Sequence, residues 1–216
     1  MSEFIKAIET EYKGYRFRSR LEARWAVFFD AAHIQYDYEI EGYEIGDGER
    51  YLPDFYLPEF QIFVEIKPKG LTREEQNKAL EKCSKLRTVS GKAILIKFGD
   101  PAEDIWGYFY GWDACDSGGG EYEESAQFIN IGEWQKPNIV LMVFGCRMDR
   151  NVFINDHFEI NEKVITEGML IHYYPDMAMS LLNFPMSHLF NANDVDESFD
   201  GMRKKARQAR FEYGEH

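Results

Sequence analysis

Two carboxylates and a lysine at short spacing form the group most able to do chemistry in this sequence of 216 residues. Asp54 follows a proline, and Glu65 comes after ten intervening residues, with Lys67 two positions further on. Hard oxygen ligands of this kind suit Mg²⁺ or Mn²⁺, which polarise a phosphoryl oxygen and acidify a bound water. A neighbouring ammonium group can orient or deprotonate that water and offset charge in the transition state. These residue types therefore predict metal-assisted hydrolysis of a phosphate ester.

Two strands must position these groups. Residues 50–57 and 61–67 are both strand-like and are joined by a short connection. Side chains alternate along a strand, so the isoleucine and valine face of the second strand belongs to the core, and Glu65 and Lys67 share the opposite face. If the two strands pair through the short turn, Asp54 comes beside Glu65.

Two capped helices and further strands complete the first half. Ser19 begins a helix with Glu22 at the capping-box spacing, and Thr72 begins another with Glu75 at the same spacing. A strand, a helix and a strand in succession predict a parallel pair. The predicted fold class is therefore α/β, a mixed sheet flanked by helices. The other elements predicted here are a helix from residue 72 to about 88, strands over residues 34–40 and 92–98, and a turn at residues 46–48.

The second half is predicted to be an acidic C-terminal extension, α+β in type and of unknown role. Its boundary with a core of residues 1–98 is placed near residues 99–101, where turn-forming residues follow a buried strand. The elements predicted within residues 99–216 are strands over residues 105–112, 127–131, 138–144, 152–154 and 164–174, and a helix over residues 198–210.

The motif and its order of elements resemble those of a known superfamily. Pro53-Asp54 and Glu65-Ile66-Lys67 resemble the two halves of the PD-(D/E)XK nuclease motif, whose fold is restriction-endonuclease-like. The resemblance covers roughly residues 13–98. Within the superfamily, the sequence of residues 18–24 and 51–54 is similar to that of small nucleases of phages and mobile elements. It is also similar to the nuclease subunit of cut-and-paste bacterial transposons.

The resemblance implies a Mg²⁺- or Mn²⁺-dependent deoxyribonuclease that hydrolyses phosphodiester bonds. It implies that Asp54, Glu65 and the backbone carbonyl of Ile66 hold the metal and that Lys67 positions the attacking water. In that family an upstream helix contributes a further acidic residue. Glu22 stands on the corresponding element and is the candidate for this catalytic and metal-binding role.

The same residues have structural alternatives. The motif could be a surface hairpin that carries a Glu65–Lys67 pair on its solvated face. Glu22 could serve only as a capping-box residue that reaches back to the backbone N–H of Ser19, a contact worth about 1 kcal/mol. The functional and structural alternatives predict different burial and hydrogen bonding for Glu22, Glu65 and Lys67, so the structure can distinguish them.

The densest basic patch of the sequence surrounds the first helix and adjoins Glu22. Its arginines are candidates for contact with DNA phosphates, whereas a solvated helix face is the structural alternative. A lysine and a glutamine that follow Lys67 are further candidates, and they too could simply face water. The predicted nucleic-acid-binding residues are Arg16, Arg18, Arg20, Arg24, Lys69 and Gln76.

The charge of the chain is uneven, and the acidity lies in the second half. The net charge is −13, yet residues 1–98 carry 16 basic and 17 acidic side chains, so residues 99–216 hold 9 basic and 21 acidic ones. Such acidity argues against non-specific polyanion binding by the whole surface and confines DNA contact to the first half. The acidic half is the candidate surface for homodimerisation or for a protein partner.

Composition and motifs exclude several other classes. The histidines and the 3 cysteines lack zinc-ligand spacing, and no phosphate-binding glycine loop occurs. The sequence offers no signal peptide and no membrane-length apolar run, which predicts a cytoplasmic protein.

Two rivals to the enzyme remain open at this point. One is a nuclease fold without cleavage that serves a phage or mobile element as a nucleic-acid- or protein-binding module. The other is an acidic DNA mimic or inhibitor built on residues 99–216.

Overall fold

A computed structural model describes residues 7–101, 106–110, 124–130, 139–144, 164–166 and 197–211. Within these residues the chain forms a mixed sheet with helices on both faces, so the predicted α/β class is confirmed at this level. No helix in this part of the chain is long and apolar enough to cross a membrane. The predicted strand at residues 152–154 lies outside the described residues, as does most of the one predicted over residues 164–174.

The first helix begins where its capping signal predicts. Helix α1 spans Arg20–Ala31, and the Ser19 side chain accepts a hydrogen bond from the backbone N–H of Glu22. Trp25 and Phe28 lie on the buried face of the helix, as their helical spacing predicts. Before the helix, strands β1 (Thr10–Tyr12) and β2 (Tyr15–Phe17) form an antiparallel hairpin.

The motif strands pair as predicted. Strand β6 (Phe55–Leu57) runs antiparallel to β7 (Ile62–Lys67), with Phe55 opposite Val64. On the other side, β7 runs parallel to β8 (Ala93–Phe98). A parallel pair requires a crossover connection, and the helix that follows β7 supplies it.

That crossover helix, α2, spans Arg73–Ser90 and has both ends defined by local chemistry. Thr72 and Glu75 form a complete capping box at its start. Gly91 ends it in the left-handed conformation with φ of 66°, which glycine adopts without a steric penalty. The helix continues two residues beyond the predicted end.

The central sheet continues past the predicted domain boundary. The elements not yet given are β3 (Asp37–Tyr38), β4 (Tyr43–Glu44), β5 (Arg50–Tyr51), β9 (Trp106–Tyr110), β10 (Glu124–Asn130), β11 (Ile139–Phe144), β12 (Val164–Thr166) and α3 (Glu197–Gln208). The strand order of the central sheet is β12-β11-β10-β9-β8-β7-β6-β3, and β9 pairs antiparallel with β8. Helix α3 packs against α1 through Met202 and Ala206.

Two hydrophobic clusters lie on opposite faces of the sheet. Helix α1 covers one face, where it packs on side chains such as Val64 and Leu95. Helix α2 covers the other, where Cys83 and Leu86 pack with Phe63. Both faces of β7 are therefore buried, which removes the surface-hairpin alternative.

Two strand predictions are wrong in extent. The predicted strand over residues 34–40 is reduced to Asp37–Tyr38. The predicted strand over residues 50–57 is split: β5 pairs with β4 through the predicted turn at residues 46–48, and β6 joins the central sheet. Pro53, which has no N–H to donate, lies in the break between them.

Candidate active site

Asp54, in the residue before β6, and Glu65, on β7, face each other from within the fold. Each residue is only 2% exposed. Asp54 precedes β6 at the position opposite Glu65, and its backbone N–H donates to Glu65 Oε2 at 3.4 Å. Asp54 Oδ2 accepts from the backbone N–H of Ile66 at 2.8 Å. The strand pairing that the spacing predicted therefore brings the two carboxylates together.

Lys67 completes the motif at the edge of this buried pair. Its ammonium group donates to Glu65 Oε1, and its side chain is 27% exposed. Burial opposes the charge of Lys67, but Glu65 and Asp54 outweigh that effect and raise its pKa. The side chain is thus a cation that contacts Glu65 and is partly exposed to solvent.

The surroundings of Asp54 disfavour the ionised form of its carboxyl group. Complete burial raises its pKa well above the ordinary value, and repulsion from Glu65 raises it further. Lys67 and the hydrogen bond from Ile66 act in the opposite direction. Buried acids with a perturbed pKa, such as Asp54, are frequent in active sites, because catalysis requires groups that folding alone would not favour.

Arg18 reaches this pair from the segment before α1. Its guanidinium Nη2 donates to Asp54 Oδ1 at 2.6 Å, and its Nε contacts Glu39. Burial acts against the charge of Arg18, but the surrounding carboxylates, Asp54 first among them, raise its pKa overall. The basic patch predicted near Glu22 thus includes one arginine in direct contact with the motif.

Glu22 lies beside the pair but has hydrogen-bond donors on both oxygens. Oε1 accepts from Ser19 Oγ at 2.7 Å, and Oε2 accepts from the hydroxyl of Tyr38 at 2.6 Å and from the backbone N–H of Arg18 at 3.1 Å. It therefore caps α1 differently from the prediction, since it holds the N–H of Arg18 and not that of Ser19. Its role as a metal ligand stays a prediction.

Three residues of the site had no functional prediction. The Tyr38 hydroxyl joins Glu22, and Glu39 holds the guanidinium of Arg18. The phenol of Tyr51 is buried near Glu65 and Cys83, and burial followed by the charge of Glu65 raises its pKa. Tyr51 stands three residues before Asp54 in the sequence, so its closeness to the motif could have identified it as a site residue. The other two depend on β3 pairing with β6, which local spacing does not reveal.

The other predicted DNA contacts lie in several surroundings. Arg16 pairs with Glu9, and Arg24 pairs with Asp100 at 2.7 Å. The Gln76 amide donates to the backbone carbonyl of Leu71 at 3.0 Å, which turns it toward its own loop. Arg20 lines a groove by the β1–β2 hairpin together with Arg16, and Lys69 lies beside Gly99. Their contact with DNA stays a prediction.

The donor set suits a hard divalent cation. Asp54 and Glu65 present carboxylate oxygens across adjacent strands, where their negative charges repel unless a cation offsets them. The cluster as a whole contains four carboxylates and only two cationic side chains, Arg18 and Lys67. The four carboxylates are those of Glu22, Glu39, Asp54 and Glu65.

Part of the ligand set must come from groups other than side chains. Within the described residues, no group of three or more His, Cys, Asp or Glu side chains is arranged to hold a metal ion. A cation held by Asp54 and Glu65 would therefore take its remaining ligands from backbone carbonyls and water. Mg²⁺ commonly binds in that way, because it retains several waters and uses one or two carboxylates.

Comparison with protein-family models, curated proteins and solved structures finds no match for this chain. The functional interpretation therefore depends on the geometry described above and on the motif.

Proposed function

We propose that this protein is a metal-dependent nuclease that hydrolyses phosphodiester bonds in DNA, with a restriction-endonuclease-like core. The observation that carries the proposal is the buried pair of Asp54 and Glu65 with the ammonium of Lys67 on it. A fold gains nothing in stability from two adjacent buried carboxylates, so their presence is best explained by chemistry.

In this proposal Asp54 and Glu65 hold Mg²⁺ or Mn²⁺ together with the carbonyl of Ile66. When bound, the metal supplies Lewis-acid polarisation of the scissile phosphate and a water of lowered pKa. Lys67 is positioned by Glu65 at the solvent side of the pair, where it orients the water and stabilises negative charge on the phosphate.

Surrounding residues support these roles. Glu22 and Tyr38 fix the backbone of Arg18, which extends its guanidinium over Asp54. Arg18 is therefore the first candidate for phosphate contact among the predicted basic residues. The acidic residues 99–216 are proposed as the surface for a partner protein or a second copy of the chain, because they repel DNA.

A binding module without cleavage is the second candidate function. Three of the predicted DNA-binding arginines, Arg16, Arg18 and Arg24, already pair with carboxylates of this chain. Such pairing lowers the positive potential available to DNA, as does the net charge of −13. This candidate predicts binding to DNA or protein that needs neither Asp54 nor Lys67.

The test is cleavage of labelled single-stranded, duplex and branched DNA with Mg²⁺, Mn²⁺ or EDTA. We expect metal-dependent cutting by the wild type and a loss of about 10²–10⁴-fold in Lys67→Ala, because a positioned charge and proton-transfer group is removed. Lys78→Ala is the matched control, since Lys78 is an exposed lysine that pairs with Glu74 on α2, away from the motif. Binding of DNA or protein without cutting, unchanged in Lys67→Ala, would support the module instead.

A further inference from the structure

Arg18 and the sheet backbone hold different oxygens of Asp54. Asp54 Oδ2 accepts from a backbone amide of β7, which is part of the sheet and cannot move away. Asp54 Oδ1 accepts from the Arg18 guanidinium at 2.6 Å. A side chain exchanges partners at far lower cost than a strand backbone does. Oδ1 is therefore the oxygen that a cation arriving at Asp54 would take, and Arg18 would compete for it.

The backbone of Arg18 is anchored, whereas its side chain is about half exposed to solvent. The N–H of Arg18 donates to Glu22 Oε2 and to the Tyr38 hydroxyl, both on neighbouring elements. The side chain is 53% exposed, in contrast to the buried carboxylate that it touches. Arg18 can thus leave Asp54 by a rotamer change alone.

Glu39 offers Arg18 a second position next to the first. The guanidinium Nε contacts Glu39 while Nη2 contacts Asp54, so one side chain bridges two carboxylates. When Asp54 Oδ1 turns to another cation, Glu39 keeps the guanidinium at the rim of the site. A planar guanidinium held there presents its remaining N–H groups to an incoming phosphate.

We propose that Arg18 couples metal binding to DNA binding by exchanging Asp54 for a DNA phosphate. This inference rests on the proposed function. A cation on Asp54 Oδ1 displaces Arg18 toward the phosphate, and a phosphate that draws Arg18 away frees Oδ1 for the cation. Coupling between two ligands is reciprocal, so each tightens the binding of the other by the same factor. As a result of this exchange at Arg18, the protein binds the metal tightly only when DNA is also bound.

The first test measures Mn²⁺ affinity in the absence of DNA by isothermal titration calorimetry and by electron paramagnetic resonance. We expect Arg18→Gln to bind Mn²⁺ about tenfold more tightly than the wild type, because the competing cation is gone. Lys78→Gln removes one charge from an exposed site on α2 and should leave the affinity within about twofold. Equal or weaker Mn²⁺ binding by Arg18→Gln would overturn the inference.

A second variant distinguishes competition from loss of charge. Glu39→Gln removes the alternative partner of Arg18 and should weaken Mn²⁺ binding about threefold, in the range of modest coupling energies. In an Arg18→Gln background the same change should have much less effect, because it acts through Arg18. Equal effects in both backgrounds would indicate a purely electrostatic contribution of Glu39 and would overturn the exchange.

The DNA arm uses fluorescence anisotropy with a short labelled duplex and its single strand, in EDTA and in Ca²⁺. Ca²⁺ takes oxygen ligands but tolerates longer distances and looser geometry than Mg²⁺, so it serves as a probe of binding. We expect Ca²⁺ to increase DNA affinity in the wild type by about tenfold, and by markedly less in Arg18→Gln. An undiminished gain in Arg18→Gln would overturn the inference.

Failure of the inference and failure of the proposed function have different signatures. If the wild type and both variants are folded by circular dichroism and none binds Mn²⁺, the proposed metal site is contradicted, and the inference with it. If all of them bind Mn²⁺ equally and the wild type cuts DNA, the nuclease stands and only the coupling is overturned.

Discussion

Replacing Asp54 with asparagine should stabilise the protein while it removes activity. Asp54 is 2% exposed, and burial and then Glu65 raise its pKa well above the ordinary value. The folded environment therefore disfavours the charged form of this side chain relative to its neutral form. Asparagine resembles that neutral form in size and shape, so Asp54→Asn removes the unfavourable charge without opening a cavity.

The size of the effect follows from the competing contacts. Each unit by which folding raises a pKa corresponds to about 1.4 kcal/mol. In a domain of this size 1 kcal/mol shifts the melting temperature by about 2–4 °C. The lost contact with Arg18 weighs little, since that guanidinium is half exposed and returns to water. The backbone N–H of Ile66 keeps an acceptor in the asparagine carbonyl. We expect Asp54→Asn to melt higher than the wild type at pH 8, by about 2–4 °C for each kcal/mol of unfavourable charge burial that the change removes.

The pH dependence gives the sign. Folding raises the pKa of Asp54 above 3.8, the ordinary pKa that applies in the unfolded chain. The contribution of Asp54 to the free energy of unfolding is therefore fully present below pH 3.8, and it is lost as the pH rises through the pKa of the folded state. The advantage of Asp54→Asn should therefore vanish in acid and grow toward pH 8. Thermal denaturation followed by circular dichroism in EDTA, from pH 4 to pH 8, measures it. Asp47→Asn, at an exposed carboxylate, is the control. A lower melting temperature for Asp54→Asn at every pH would refute the reasoning, because the ion pair with Arg18 would then outweigh burial.

Two further predictions concern the elements that position the site. Gly107→Ala should lower the free energy of unfolding by about 1–3 kcal/mol, because a Cβ at this position would lie 2.5 Å from a backbone oxygen of β8. Gly42→Ala is the control and should be close to neutral, because the nearest atom to a Cβ there is 3.8 Å away. Urea denaturation compares the two, and equal stabilities would contradict the close packing of β9 on β8. Trp25→Phe should lower the free energy of unfolding by about 1–3 kcal/mol. The substitution removes the buried hydrogen bond from Trp25 Nε1 to the Gly99 carbonyl oxygen at 2.9 Å, and that oxygen loses its donor. An unchanged urea midpoint would show that this link from α1 to the end of β8 is not needed.

Local signals predicted the elements that depend on local chemistry. The capping residues Ser19 and Thr72 mark the two helix starts, and the alternation along residues 62–67 gives the strand with its correct facing. The meeting of Asp54 with Glu65 was predictable because a short connection leaves antiparallel pairing as the simplest arrangement.

Contacts between distant segments could not be predicted in the same way. Alternation identifies the two faces of β7 but does not reveal that α2 covers the face of Glu65. Arg18 and Asp54 are separated by 36 residues, and their contact depends on how the segment before α1 crosses the sheet. Glu39 enters the site only because β3 pairs with β6 at the edge of the sheet. These contacts depend on the tertiary arrangement, which residue spacing does not encode locally.

The proposed nuclease activity depends on a divalent cation held between Asp54 and Glu65. Anomalous diffraction from crystals soaked in Mn²⁺, recorded at the manganese edge, locates such a cation directly. We predict one peak about 2.0–2.2 Å from an oxygen of each carboxylate and from the carbonyl oxygen of Ile66, the distances typical of small hard cations. Fully soaked crystals with no peak between the two carboxylates, or with manganese only elsewhere on the protein, would contradict the account.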